Sequence, residues 1–385
     1  MENGVFMTGM SDTDFDLIDV QRAADDLRRG MPVLVQQVRN DKGEEGFEWE
    51  KTLLVMAAEH ADQSTLALFD EIASDSFVML TNNRALSLKV AGEDWPVVRI
   101  NRPTWMTPAD IVALADPTLD LSNPMKGPFL RIHHPTEPID SAAIKLAKLA
   151  RLLPAVVAAE IKTDPVDLFM EYGLSQAIAD DVLNADLTQA ATLKQVASAR
   201  VPLAGSEQTR LVSFRPLSGG VEHVAIQIGD PPRDEPVLVR VHSECFTGDL
   251  LGSLKCDCGE QLKGSIKAIG EAGGGLVLYM AQEGRGIGLV SKLKAYALQD
   301  QGYDTVDANT RLGFEVDERV FAPAAEMLKK LGFLSVRLMT NNPLKVEGLQ
   351  SFGINVIERV AHTFPTNPHN EQYLATKKSR TGHIL

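Results

Sequence analysis

Cys245, Cys256 and Cys258 are the only cysteines in a chain of 385 residues, and they fall within fourteen consecutive positions. An odd number crowded into one stretch makes a poor disulfide framework. Thiolates kept reduced in a cytoplasm, for a metal or for a reaction, fit the pattern better. Three thiolates can hold Zn²⁺ tetrahedrally and leave the fourth position to water, and that open position separates a catalytic zinc from a structural one. Cys256 and Cys258 can both face one metal if the backbone turns at Asp257, with Gly259 easing the bend. A lone cysteine is commonly just a small buried apolar group, but here all three share one polar stretch. His242, three positions before Cys245, stays open between a fourth ligand and a group that orients a ligand or meets the substrate.

Other stretches are suggestive only in combination. Gln282-Glu283-Gly284-Arg285-Gly286-Ile287-Gly288 lies between an apolar strand pattern and a helical one. Its glycines let backbone approach a bound group, and a helix start behind the loop favours an anion. The loop lacks the Lys-Ser/Thr of a Walker motif, and a Gly-rich turn is often purely structural. Asp317-Glu318-Arg319 reads equally as a solvated charge cluster, and Thr340-Asn341-Asn342-Pro343-Leu344-Lys345 as a loop before a helix.

The elements that must position these residues follow from apolar spacing. The C-terminal half opens with strand-like alternation at Leu211 to Phe214, Val221 to Ile228 and Val237 to Val241. Helix and strand then alternate: helices over Gln261 to Glu271, Leu289 to Gln301 and Ala324 to Leu331, strands over Leu276 to Met280, Val336 to Met339 and Asn355 to Val360. In the N-terminal half, Val20 to Arg29 reads as a helix stopped by Gly30, followed by the strand Met31 to Val35. Apolar runs recur at Lys51 to Glu59, Ser76 to Leu80 and Val97 to Ile100. The helix Ser141 to Leu152 and strand Ala155 to Ile161 follow, and Asp164 to Val196 reads as helical. Pro202, Gly205 and Ser206 place a boundary near Ala197 to Glu207. A chain of this length is expected to split into two domains.

Composition removes several classes. Hydrophobic residues at 44% and charged residues at 23% describe a globular chain. The longest apolar runs fall short of the roughly 20 residues that span a bilayer, so a soluble, cytoplasmic protein without membrane partners is expected. The acidic start, Met1 to Asp16, has no secretory pattern. A net charge of −14 opposes a broad nucleic-acid surface while leaving room for one nucleotide. No 20–50-residue repeat suggests a solenoid or propeller.

From Arg240-Val241-His242-Ser243-Glu244-Cys245 to Asn367-Pro368-His369-Asn370-Glu371, the order of these motifs resembles GTP cyclohydrolase II over roughly residues 200–385. The resemblance implies zinc on Cys245, Cys256 and Cys258 and Mg²⁺ on the triphosphate. It implies GTP contacts from Arg240, Val241, His242, Ser243, Glu244, Gln261, Glu283, Gly284, Arg285, Thr305, Thr340 and Lys345. It makes Asp317 a proton acceptor, Arg319 the residue thought to attack the α-phosphorus, and Tyr296 the phenol beside the opening ring. A guanidinium is a demanding nucleophile, so charge stabilisation by Arg319 is an equal reading. Glu283 and Gln261 suit the guanine edge, and Arg285 and Lys345 suit phosphate. Retained Tyr296 implies the full reaction, whereas Ala281 stands where many family members carry a basic residue. A homodimer is implied as well.

Residues 17–170 show a fainter resemblance to 3,4-dihydroxy-2-butanone 4-phosphate synthase, carried by Val20 to Val35, Gly127 to Arg131, Ser141 to Leu152 and Ala155 to Ile161. That family's acidic loop is replaced by Gln36 to Gly46, and its metal-binding Gly-His-Thr-Glu by Pro138-Ile139-Asp140-Ser141. Glu44 and Glu45 read as an exposed charged loop rather than a metal site. The expected fold class is therefore α/β (α+β): a degenerate, non-catalytic synthase-like domain over 1–197, then a mixed α/β GTP cyclohydrolase II domain over 198–385. The expected reaction converts GTP to 2,5-diamino-6-(5-phosphoribosylamino)pyrimidin-4(3H)-one, formate and pyrophosphate, opening riboflavin biosynthesis. The same chemistry in pyrimidine catabolism, or GTP sensing without turnover, are the alternatives.

Overall fold

The computed structural model describes residues 12–38, 49–73, 75–90, 95–124, 127–362 and 380. Glu44, Glu45 and the 367–371 motif lie outside the described residues. Two seven-stranded mixed sheets organise the chain, each combined with helices. The first contains β1 (Val33–Val38), β2 (Trp49–Ala57), β3 (Ser76–Thr81), β4 (Val97–Asn101), β5 (Arg131–Ile132), β6 (Ala155–Ile161) and β7 (Gln176–Ile178), in the order β5-β4-β3-β6-β2-β1-β7. Its core joins Val33, Val35, Leu53, Val55, Val156 and Ala158 to Ile139, Ala143, Leu146 and Ala147 on the helix Pro138–Leu149 and to Val20, Ala24 and Leu27 on the helix Asp12–Arg28.

The second sheet contains β8 (Lys194–Arg200), β9 (Thr209–Arg215), β10 (His223–Ile228), β11 (Val237–Ser243), β12 (Gly275–Met280), β13 (Ser335–Met339) and β14 (Asn355–Val360). Their order is β14-β13-β11-β12-β10-β9-β8. Strands β8, β9, β10 and β12 pair antiparallel, while β12, β11, β13 and β14 run parallel. From β11 the chain crosses through the helix Cys258–Glu271 to β12 on one side, and β13 later takes the other side. Strand order therefore reverses at β11, and in open α/β sheets ligands bind beyond the carboxyl end of the strand at such a point.

Alternation along β11 sorts its side chains. Val237, Val239 and Val241 join the core with Leu276, Leu278 and Met280 and with Ala324, Met327 and Leu328 of the helix Ala322–Lys330. Leu238 packs on the opposite face with Val277, Ile266 and Ile269. Period two places Arg240 and His242 on that second face, beside the helix Cys258–Glu271.

Contacts divide the chain into one unit of 1–185, 293–303 and 307–316 and another of 186–292, 304–306 and 317–385. Strand β8 runs through the boundary expected at 197/198 and pairs with β9 as part of the second sheet. The stretch Asp164 to Val196, read as helical, is in fact divided. Helix Pro165–Tyr172 stops at Gly173, whose φ of +65° is left-handed; β7 then pairs with β1, helix Ala179–Ala191 follows, and β8 begins. The first break is local glycine chemistry, whereas a three-residue strand exists only because β1 pairs with it. Among the described residues, no helix is long and apolar enough to cross a membrane.

Candidate functional site

The end of β11 delivers Cys245 into a short helical turn, Phe246–Leu250, and the chain returns through Cys256 to Cys258 at the start of the next helix. The three sulfurs lie within 4.8 Å of one another, with Cys245 Sγ and Cys256 Sγ 3.7 Å apart. Metal–sulfur bonds of 2.3 Å at the tetrahedral angle give a sulfur–sulfur edge of about 3.8 Å. The cysteines are free of disulfides, and the spacing suits a metal.

Glycine makes the approach possible. A Cβ on Gly248 would stand 2.8 Å from Cys256 Sγ, 3.0 Å from Cys258 Cβ and 3.1 Å from Cys245 Sγ; one on Gly259 would stand 2.3 Å from the Gly248 carbonyl oxygen. Contact with Cys256 and Cys258, and the Lys292 ammonium, pull the Cys245 thiol far below its ordinary pKa. Beside Cys245, the Cys256 thiol is pushed up to about 11. Cys258 is likewise raised by both neighbours. Three thiols this close oppose one another's ionisation, and a divalent cation held between them would offset that repulsion.

His242 does not join the sulfurs. Its Nε2 lies 3.1 Å from both oxygens of Asp249, its ring stacks on Tyr279 at 5.6 Å, and Nδ1 is buried with no hydrogen-bond partner among the described residues. Asp249 Oδ2 also accepts from the Cys245 backbone N–H and the Tyr279 hydroxyl, each at 3.0 Å. Burial first, then Arg240 and Lys345, lower the His242 pKa against the pull of Asp249. A neutral imidazole donating from Nε2 accordingly steadies the carboxylate that fixes the Cys245 backbone. Asp249 and Tyr279 escaped the sequence reading; the parallel register pairing His242 with Tyr279 is what brings them together.

Arg240 donates to the Met339 carbonyl at 3.1 Å and to Gln261 Oε1, and Gln261 donates to Asp257. Burial lowers the Arg240 pKa to about 10, so the guanidinium stays charged. Lys345 donates to the Val241 carbonyl at 2.7 Å, tying its helix, Pro343–Ser351, to the end of β11. Thr340 Oγ1 accepts from the Asn342 N–H at 3.0 Å. The Gly-rich loop closes on the next motif: Glu318 N–H donates to the Arg285 carbonyl at 3.0 Å, and a Cβ on Gly286 would stand 2.8 Å from Glu318 backbone. Gly284 and Arg285 both have φ of +62°, a conformation natural for the glycine and strained for the arginine. Arg319 grips Asp317 through Nε at 2.8 Å and through Nη2. Burial alone would raise the Asp317 carboxyl, but Arg319 holds it below the ordinary range.

Glu283 is committed inward: its carboxylate accepts from Phe246 N–H at 2.6 Å, Gly284 N–H at 2.8 Å and Lys292 at 2.9 Å. Glu244 N–H donates to the Met280 carbonyl at 2.8 Å, extending the sheet one residue beyond Ser243, whose Oγ is buried with no hydrogen-bond partner among the described residues. Thr305 opens the short helix Thr305–Arg311. Tyr296 sits in the helix Gly288–Asp300, whose residues from 293 onward group with the N-terminal unit.

That unit holds a second cluster, His134, Glu137 and Asp140, with ligand atoms within 4.8 Å of one another. Cations already occupy it. Arg99 Nη2 lies 2.6 Å from Asp140, and Lys51 pairs with Glu137. Asp140 also accepts from the Glu137 N–H at 3.1 Å, capping the helix Pro138–Leu149.

A sheet whose strand order reverses at β11, with three clustered thiols and a Gly-rich loop beyond that strand, is the arrangement of an α/β protein that binds its ligand at the carboxyl end of the sheet. The GTP cyclohydrolase II family model matches residues 194–361. A GTP cyclohydrolase-2 of Azospirillum brasilense is 46% identical over 370 residues, covering 95% of this chain and 94% of its own. The riboflavin biosynthesis protein RibBA of Phocaeicola vulgatus is 42% identical over 298 residues, 72% of each chain. A GTP cyclohydrolase-2 of Cronobacter sakazakii is 55% identical over 193 residues, 50% of this chain and 98% of its own. The chain belongs to the GTP cyclohydrolase II family and is a GTP-hydrolysing enzyme of riboflavin biosynthesis.

Proposed function

We propose that the protein hydrolyses GTP at a zinc centre on Cys245, Cys256 and Cys258. The products would be 2,5-diamino-6-(5-phosphoribosylamino)pyrimidin-4(3H)-one, formate and pyrophosphate. The observation carrying this reading is the sulfur triad, spaced for a tetrahedral ion and fitted around Gly248. When bound, zinc supplies Lewis acidity that activates water for attack at C8 of guanine. Asp249 and His242 hold the Cys245 backbone in place. Arg240, buried and charged, orients Gln261 for the guanine edge. Arg285 and Lys345 supply positive charge for a triphosphate carried with Mg²⁺. Asp317, kept ionised by Arg319, can accept a proton. Their two-point pair serves either reading of Arg319: attack at the α-phosphorus, with pyrophosphate leaving and the guanidinium proton passing to Asp317 as the new bond forms, or charge stabilisation there. Tyr296 is assigned to the ring-opening step.

The N-terminal half is proposed to be a synthase-like domain without the synthase reaction, because Arg99 and Lys51 neutralise the carboxylates nearest the expected metal position. A cytoplasmic homodimer completes the reading. The test is incubation of purified protein with GTP, Mg²⁺ and zinc, with products identified by mass and formate and pyrophosphate assayed separately. Binding of GTP without either product would establish a sensor instead.

A further inference from the structure

Lys292, in the first turns of the helix Gly288–Asp300, is 8% exposed. Its ammonium lies 3.1 Å from Cys245 Sγ, 2.9 Å from Thr247 Oγ1 and 2.9 Å from Glu283 Oε1. The same Glu283 carboxylate accepts from the N–H of Phe246, the residue after Cys245. Gly284 wraps closely around the lysine, since a Cβ there would stand 3.1 Å from Lys292 Cβ. One buried cation therefore joins the cysteine turn, the Gly-rich loop and the helix behind it.

We propose that Lys292 is a positioning residue that donates an N–H···S hydrogen bond to Cys245 and thereby sets how much charge this sulfur gives a bound metal. The proposal rests on the three-cysteine reading above. Three thiolates around a divalent ion leave a net charge of −1 in a buried pocket. A cation in contact with one sulfur withdraws electron density from it and leaves the ion a stronger Lewis acid. Glu283 fixes the ammonium and balances it, so that the lysine faces the sulfur without moving to solvent. The contact falls on Cys245, the thiol just past the end of β11, and makes it the sulfur whose donation Lys292 tunes.

Cobalt(II) serves as the probe, because thiolate-to-cobalt charge transfer reports the electron richness of the bound sulfur. Wild-type protein, Lys292→Met and Lys292→Gln are loaded with Co²⁺, and bound metal per chain and absorption are measured. In Lys292→Met the charge-transfer band is expected at longer wavelength with one cobalt still bound. Lys292→Gln, which keeps a neutral N–H donor, is expected to fall between it and wild type. Turnover of GTP should fall in the same order, through kcat more than through KM. An unmoved band in a metal-loaded Lys292→Met would overturn the proposal. If that variant fails to fold, an unmoved band in Lys292→Gln would do so. Absence of any sulfur–cobalt band in the wild type would instead sink the metal reading itself.

Discussion

Gly248 shows how little room the cysteine site leaves at the level of single residues. A methyl group there would enter the space between the sulfurs. Gly248→Ala is therefore expected to weaken zinc binding at least tenfold, about 1.4 kcal/mol, with the sheet intact by circular dichroism. Chelator competition measures the affinity, and unchanged affinity would mean that the turn relaxes freely. Cys256→Ser should cost both metal and ring opening, because two thiolates hold zinc poorly and no longer shape its open position. Elemental analysis decides that case. Tyr296→Phe probes a different step. It should leave pyrophosphate release largely intact while slowing formate release, and equal loss of both products would assign the phenol to binding or folding.

Among the elements, the helix Ala179–Ala191 carries a titrating position in the N-terminal unit. Burial, and then Asp16, Asp180 and Asp19, raise the Asp181 carboxyl to about 6. The folded state binds this proton more tightly than the unfolded chain, so the resulting stability is fully present below about pH 4 and is lost as pH rises through about 6. Asp181→Asn keeps the shape and removes the charge. The variant should unfold at a temperature about 2–4 °C above wild type at pH 7.5 and show no such gain at pH 4. Thermal scans at both pH values check this, and an equal shift at both would point to packing instead of charge.

For the whole molecule, the question is what the N-terminal half contributes. The Cronobacter enzyme aligns over 98% of its length with half of this chain, so the cyclohydrolase portion has stand-alone relatives. Here, however, residues 293–303 and 307–316 pack with the N-terminal residues. Thr81 Oγ1 donates to the Gly313 carbonyl at 2.7 Å, Asn83 to the Phe314 carbonyl at 3.0 Å, and Lys294 pairs with Asp116. A truncation beginning at Asp186, which keeps β8, would expose Leu312 and Phe314, now buried. It should be less soluble and melt at a lower temperature than the full chain. A truncated protein that is soluble, dimeric and fully active would remove the structural role. Full-length protein given ribulose 5-phosphate and Mg²⁺ should form no dihydroxybutanone phosphate above background.

The sequence by itself pointed to a cluster of three thiols, because thiol count, spacing and polar surroundings are local properties of residues 241–259, and the fold brings those sulfurs within 4.8 Å of one another. It also specified the apolar run Ala155–Ile161 and, from its β-branched residues, the more exposed Asn355–Val360, both of which the structure reproduces at both ends. Tertiary structure decided the rest. Strand β7 depends on pairing with β1, and the helix Thr305–Arg311 lacks a long apolar stripe that could have announced it. Asp249, Tyr279 and Lys292 became site residues only through contacts across 7 to 47 positions of sequence. A charged side chain has the same local pattern in solvent as beside a thiolate, and only the reversal of strand order at β11 and the folding of the Gly-rich loop onto the cysteine turn separate the two.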